Sequence, residues 1–346
     1  PAIDPNKGKN PEDYFNTVLY SGNSGTNAVT GVGFQPNWTW VKSRNTSGEA
    51  HKVVDSVRGA GKTLFPSGTS AEIDYSGVGL NSFDTDGFTV SHSAANNQWN
   101  VSGRTYVAWN WLAGGTAVTN DDGSIQSTVS ANTDAGFSIC TYTGTGSATN
   151  FGHGLSSAPK WVVIKRRDGT PSWQVFHTSL GGGKSIELDG NGAAGSTTSV
   201  WNNTAPTSSV VHIGTHGGTN TSSGTYVAYC FAEKEGYSKF GTFSGNGDND
   251  GPFVYTGFRP SWLLTKRTDT TSAWCLTDNK RDPINVVDMA LFPHLTNAEV
   301  EPVGYDIDYL SNGFKARGTN AAINNSSGTY IYMAFAEQPF KYSNAR

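Results

Sequence analysis

Short runs of alternating apolar and polar residues recur along the chain, and clusters of Gly, Asn, Ser and Thr separate them. A period of two marks a half-buried strand, and the separating residues are those that tight turns require. The clearest run is Tyr106-Val107-Ala108-Trp109-Asn110-Trp111, after the turn Ser102-Gly103-Arg104. The same turn and strand return at Ser223-Gly224-Thr225-Tyr226-Val227-Ala228 and at Ser327-Gly328-Thr329-Tyr330-Ile331-Tyr332. An aromatic stands five residues after each Tyr, at Trp111, Phe231 and Phe335, and Trp109, Tyr229 and Met333 are expected on the face of the Tyr.

Two further landmarks complete a unit that occurs three times. The opening Tyr20-Ser21-Gly22 matches Tyr142-Thr143-Gly144 and Phe243-Ser244-Gly245. Gly33-Phe34-Gln35-Pro36-Asn37-Trp38 then matches Gly257-Phe258-Arg259-Pro260-Ser261-Trp262, with Ala158-Pro159-Lys160-Trp161 holding the place between them. A Lys follows each Trp by four residues, at Lys42, Lys165 and Lys266, and the residues between read as a buried strand. Trp38, Trp161, Trp262, Tyr106, Tyr226 and Tyr330 are thus the structural signature of the repeat.

Units of roughly one hundred residues built from short strands and turns predict an all-β fold of three tandem antiparallel β-sandwich repeats, sandwich or jelly roll, with little helix. The expected boundaries are an arm at 1–13, repeats at 14–115, 137–235 and 236–346, and a linker at 116–136 holding one extended strand. Each copy is expected to form its own core, with the second and third packed together; a ring of pseudo-threefold symmetry within one chain is a further expected arrangement.

Composition narrows the function. The 346 residues suit two or three domains. With 42 Gly, 12% aromatic residues and 15% charged residues the chain favours sheet and turn over helix. A net charge of -4 and a pI near 6.0 provide no basic field for phosphates, so nucleic acid is not expected as a partner. No run approaches the roughly 18 apolar residues of a membrane helix, so no membrane partner is expected, and the first twenty residues lack the apolar segment of an export signal. Cys140, Cys230 and Cys275 are odd in number and lack metal-ligand spacing, so they read as buried free thiols, with one disulfide as the alternative.

No constellation points to catalysis, and no catalytic residue or cofactor is assigned. Glu233 and Glu337 share a repeat position and read as surface charges; His212 and His216 lack a third ligand. Asp248 and Asp250 lie in a turn of calcium-loop character that lacks the downstream bidentate acid, so an acidic surface turn is expected and calcium is the weaker reading. For ligand binding the candidates are loop residues: Trp99 with Asn97 and Asn100, and Trp201 with Asn202. An indole can stack on a sugar face while amides bond its hydroxyls, although such a ring can equally cap a core. Arg44, Arg166 and Arg167 form a candidate basic rim for anionic polysaccharide; with the repeated lysines, their plainer reading is strand-end charge that discourages sheet aggregation.

The opening Tyr20-Ser21-Gly22, the run from Gly33 to Lys42, Asp55-Ser56-Val57-Arg58-Gly59, Phe83-Asp84-Thr85-Asp86-Gly87-Phe88 and the closing strand at Tyr106 together resemble an uncharacterised repeat family of marine bacteriophage structural proteins. The likeness continues through Asp278-Asn279-Lys280-Arg281-Asp282-Pro283 to the carboxy terminus, implying a complete protein whose initiator Met preceded Pro1. Members are called tail-fibre, minor-tail or capsid-fibre proteins and are placed with lectin-like, concanavalin A-like sandwiches. The resemblance implies a non-enzymatic protein of the virion surface, a tail fibre or spike or a capsid decoration. Its expected partners are other virion proteins, a host polysaccharide or receptor, and copies of itself, a trimer above all. A free carbohydrate-binding lectin or adhesin is the alternative, with a polysaccharide depolymerase third.

Overall fold

The computed structural model describes residues 9–93 and 98–337. Nearly all of its regular structure is antiparallel strand; the described residues hold one helical turn, Gly217–Asn220, and one 3₁₀ turn, Pro11–Asp13.

One strand order occurs in three sheets: opening strand, closing strand, second strand, third strand. In the first sheet these are Phe15–Ser21, Thr105–Trp111, Trp38–Ser43 and Lys52–Asp55. In the second they are Phe137–Thr143, Thr225–Phe231, Trp161–Arg166 and Gln174–His177. In the third they are Ser238–Ser244, Thr329–Ala336, Pro260–Arg267 and Trp274–Asp278. The registers correspond too. Tyr20 lies opposite Tyr106, Tyr142 opposite Tyr226 and Phe243 opposite Tyr330. Trp38, Trp161 and Trp262 lie opposite Trp111, Phe231 and Phe335.

Residues 116–136 depart from the expected linker. They supply two strands, Val118–Asn120 and Ser127–Asn132, that extend the second sheet beside its opening strand and help make it eight-stranded. The physical reason is alternation: Val129 and Ala131 turn into the apolar interior while Thr128 faces solvent.

Each sheet is two-faced. Its outer face carries a smaller sheet: Thr26–Thr30, Gly87–Ser91 and Leu80–Asp84 on the first, Thr149–Gly152 and Val210–Ile213 on the second, Phe253–Tyr255, Gly313–Ala316 and Ile307–Leu310 on the third. Tyr106 and Ala108 pack there against Val29, Phe88 and Val90, and Tyr226 and Ala228 against Phe151, Val211 and Ile213. These pairs of packed sheets make the fold an all-β sandwich.

The inner faces of the three sheets meet one another. Trp109 and Trp111 of the first sheet, Tyr229 and Phe231 of the second, and Met333 and Phe335 of the third join Trp38, Trp161 and Trp262 in a single core. This corrects two expectations. Trp109, Tyr229 and Met333 do not share the face of the signature Tyr, because strand residues three apart point to opposite sides. The three copies also have no fully separate cores, because a sheet with large apolar rings on both faces must cover both, and the inner faces cover each other. Trp38 stacks on Tyr229 at 4.5 Å, Trp161 meets Trp274 edge-on at 5.9 Å, and Phe15 stacks on Phe335 at 5.0 Å. Each such ring removes roughly 150–250 Å² from water.

Candidate functional site

Where the sheets meet, polar side chains fix their relative positions. The third strand of the first sheet ends at Asp55 and enters the turn Asp55-Ser56-Val57-Arg58. Asp55 Oδ1 accepts the amides of Val57 and Arg58, and Oδ2 accepts Arg58 Nε at 2.5 Å and the Tyr229 hydroxyl of the second sheet at 2.8 Å. Arg58 also donates to Glu72 at 2.8 Å. Both side chains of the Asp55–Arg58 pair are fully buried. Burial opposes the charge on Arg58, but Asp55, Tyr229 and Glu72 outweigh it and raise the guanidinium above its ordinary range.

The third sheet builds the same device against the first. Asp278 Oδ1 accepts the amides of Lys280 and Arg281, and Oδ2 accepts Arg281 Nε at 2.6 Å and Trp109 Nε1 of the first sheet at 3.0 Å. Arg281 reaches on to Glu299 at 3.1 Å. In the second sheet the residue opposite Trp161 is His177, and Leu180 stands where the arginine would be. Burial lowers His177 to about 4, so it is neutral at pH 7, and its Nδ1 accepts the Ser179 amide. Two junctions are therefore ionic and the third is neutral.

A second tier repeats this pattern. Arg44 grips Glu299 through two nitrogens at 3.0 and 2.8 Å, and Arg167 grips Glu72 at 3.0 and 2.9 Å. Main-chain bonds run alongside, from Glu299 N to Arg44 O and from Glu72 N to Arg167 O, both at 2.7 Å. The neutral junction keeps only this last element, from Ala194 N to Thr268 O at 2.9 Å. Arg44 and Arg167 are thus inter-sheet clamps, and Arg166 pairs with Asp168 at 2.7 Å. The expected basic rim is corrected: each of the three arginines is paired with a carboxylate, Arg44 and Arg167 with ones they share with Arg281 and Arg58.

The repeated lysines correct the strand-end reading. Lys42, Lys165 and Lys266 are fully buried. Their ammonium groups donate to main-chain carbonyls: Lys42 to Ser43, Lys165 to Thr69, Gly169 and Pro171, and Lys266 to Arg267 and Asn191. Thr69 belongs to the first sheet's segment and Asn191 to the second's, so two of these lysines also tie neighbours together. Burial lowers each of the three to about 8.

The loop tryptophans are core residues. Trp99 and Trp201 are each 1% exposed. Trp99 has the Lys52 ammonium 5.8 Å from its ring, and Trp201 meets Phe176 edge-on at 5.7 Å. A sugar cannot reach either indole, which corrects that expectation. Asn97 lies outside the described residues. Asn202 is exposed, in a turn with φ +51°. Asp248 and Asp250 form an exposed turn in which Asp248 Oδ1 accepts the Asp250 amide and Asp250 pairs with Lys315, which lowers the Asp250 carboxyl. Among the described residues no group of three or more His, Cys, Asp or Glu is placed to hold a metal ion. Cys140, Cys230 and Cys275 are buried and free. Glu233 pairs with Lys239, and Glu337 with Arg259.

Asn100 has a structural part. It is buried, accepts the Asn23 amide at 3.0 Å and donates to Gly25 O at 2.9 Å. Asn220 and Asn324 hold the amides of Thr145 and Asn246 in the same way, at 2.7 and 2.9 Å. The signature tyrosines complete the lock: Val101 N, Thr221 N and Asn325 N donate to the hydroxyls of Tyr106, Tyr226 and Tyr330. The opening glycines fit against the same turns. A Cβ on Gly22, Gly144 or Gly245 would stand 2.0, 2.4 or 2.3 Å from the carbonyl oxygen of Val101, Thr221 or Asn325. Sequence reasoning missed Asn220 and Asn324, although an Asn six residues before each signature Tyr was the available signal.

A narrow cavity of about 20 Å³ lies between the sheets, with an apolar wall formed chiefly by Trp38, Trp111, Trp161, Trp262, Phe231 and Met333. No side chain of that wall is an acid, a base or a nucleophile. No curated protein and no solved structure matches the chain. A family model described as a domain of unknown function, DUF7483, matches residues 10–339 and so spans all three sheets. The chain belongs to this family, the domain of unknown function DUF7483.

Proposed function

We propose that the chain is a non-enzymatic structural protein of a bacteriophage virion surface, a tail-fibre or spike subunit or a capsid decoration, serving host attachment or particle stabilisation. The observation that carries this reading is where the buried charged groups go. Asp55, Arg58, Asp278, Arg281, Glu72 and Glu299, together with the three buried lysines, bind one sheet to the next or to its own turns. Such pairs are lost at high cost when one partner is removed, and they fix one arrangement of packed elements. A block locked in this way suits a particle component that must hold its shape outside the cell. The resemblance of the repeat motifs to phage structural proteins points the same way. Because the three sheets already surround one core, a single chain can stand on a threefold site, and this arrangement is favoured over a trimer of chains.

The test is a mass-spectrometric inventory of purified virions from the source culture. Peptides of this chain at the level of other particle proteins are expected. Their absence from virions, with the chain present in the medium, would overturn the reading. A free carbohydrate-binding protein would then lead, a reading favoured by the exposed aromatic pair Phe253 and Tyr255.

A further inference from the structure

The outer sheet of the third sandwich differs from the other two on its solvent face. In Phe253–Tyr255 the middle residue, Val254, points into the core, so Phe253 and Tyr255 both point outward. They are 46% and 64% exposed, and no other large aromatic is exposed among the described residues. The corresponding strand Thr26–Thr30 presents Ala28 and Thr30 beside its buried Val29, and Thr149–Gly152 presents Asn150 beside its buried Phe151.

A glycine lies under the first of these rings. Gly313 lies opposite Tyr255; a Cβ there would meet Val254 O first, at 2.1 Å, and Phe253 Cε2 at 2.8 Å, so the Phe253 ring leans across a stretch of main chain that is bare for its own close approach. The sheet carries two large rings outward, and their exposed apolar area contributes nothing to the core.

The surrounding charges decide what such a surface can take. Lys315, next to Phe253 in the sheet, is paired with Asp250, and Arg317 with Asp308 at 3.5 Å. Every one of these cations has a carboxylate of its own, so the face offers no unbalanced positive field to a uronate or sulfate polymer. The rings suit the C–H face of a neutral pyranose, and the Tyr255 hydroxyl and the exposed Asn312 amide at the adjoining hairpin suit its hydroxyls.

We propose that Phe253 and Tyr255 form a stacking platform for a neutral saccharide. This rests on the attachment reading above and gives it a site, in place of the buried Trp99 and Trp201. The platform needs no virion to be measured, so its failure and the failure of the virion assignment are separate results. The experiment is titration of the purified full chain with cellohexaose, xylohexaose and maltoheptaose, followed by saturation-transfer NMR, with alginate as the anionic comparison. Binding of at least one neutral oligosaccharide is expected. Tyr255→Ala and Phe253→Ala should each weaken it about tenfold or more, as removal of a central aromatic anchor does, with the thermal midpoint unchanged. The proposal is overturned if no neutral oligosaccharide binds, if both variants bind as the parent does, or if alginate binds in preference. Sedimentation that shows self-association of the parent and a monomeric Tyr255→Ala would also overturn it, in favour of a second copy on this face.

Discussion

The hydroxyl of Tyr229, on the closing strand of the second sheet, donates to Asp55 Oδ2 of the first sheet at 2.8 Å, inside a core shared by three sheets. Tyr229→Phe keeps the ring on Trp38 and removes only this bond and the one from Arg58 at 3.2 Å. A hydrogen bond to a buried charge is worth roughly 1.5–3 kcal/mol. Urea unfolding should show a loss of that size, and an unchanged midpoint would show that the hydroxyl locks nothing.

The shared core predicts cooperative melting. Trp38, Trp161 and Trp262 come from three different sheets yet lie in one cluster, so no sheet can unfold without exposing its neighbours' rings. Scanning calorimetry of the full chain should show one transition whose calorimetric and van't Hoff enthalpies agree. Three separable transitions would mean that the sandwiches stand alone.

The opening glycines predict a position-specific effect. Gly22→Ala, Gly144→Ala and Gly245→Ala each drive a methyl group into a main-chain carbonyl, and overpacking of this kind costs about 1–3 kcal/mol or more. Gly68→Ala, with nothing within 4 Å of the added carbon, should leave the melting point where it is. Equal effects at all four positions would contradict the packing described.

Burial places Lys165 near 8, against an ordinary 10.5. Below about pH 8 the ammonium is charged in both folded and unfolded chains, and the folded state bears the cost of burying it. Between about 8 and 10.5 the folded chain releases this proton while the unfolded chain keeps it, so the penalty falls as pH rises. Buried Tyr229 and Cys275, both raised, act in the opposite sense, so the parent must be compared with Lys165→Met. From about pH 7.5 to 9.5 the parent should gain stability relative to the variant. A constant difference would mean that the amine is solvated.

Much of the fold was legible because it rests on period-two alternation and on residues without substitutes. The signature Trp, the signature Tyr and the opening Gly could be aligned by eye, and each proves to hold a strand or a turn. The junctions were less legible. Asp55 to Arg58 and Asp278 to Arg281 have identical spacing, and that spacing was visible, but their partners Tyr229 and Trp109 lie 174 and 169 residues away in the chain. No local pattern encodes such a contact. Buried lysines also defeat the rule that charge belongs outside, because three main-chain carbonyls can accept all three ammonium protons of Lys165 and so offset part of the cost of burying it. Trp99 and Trp201 misled for the converse reason: loop composition around an indole is the same whether its ring faces solvent or the core. Residues 116–136 read as linker because Thr, Ser, Asn and Asp together dominate there, yet Val129 and Ala131 alternate well enough to form a strand.

The most direct test of the functional account is gold-labelled antibody against this chain on intact particles, viewed by electron microscopy. Label on tail tips, fibres or capsid surfaces is the predicted result. Bare particles beside labelled cells or medium would contradict it.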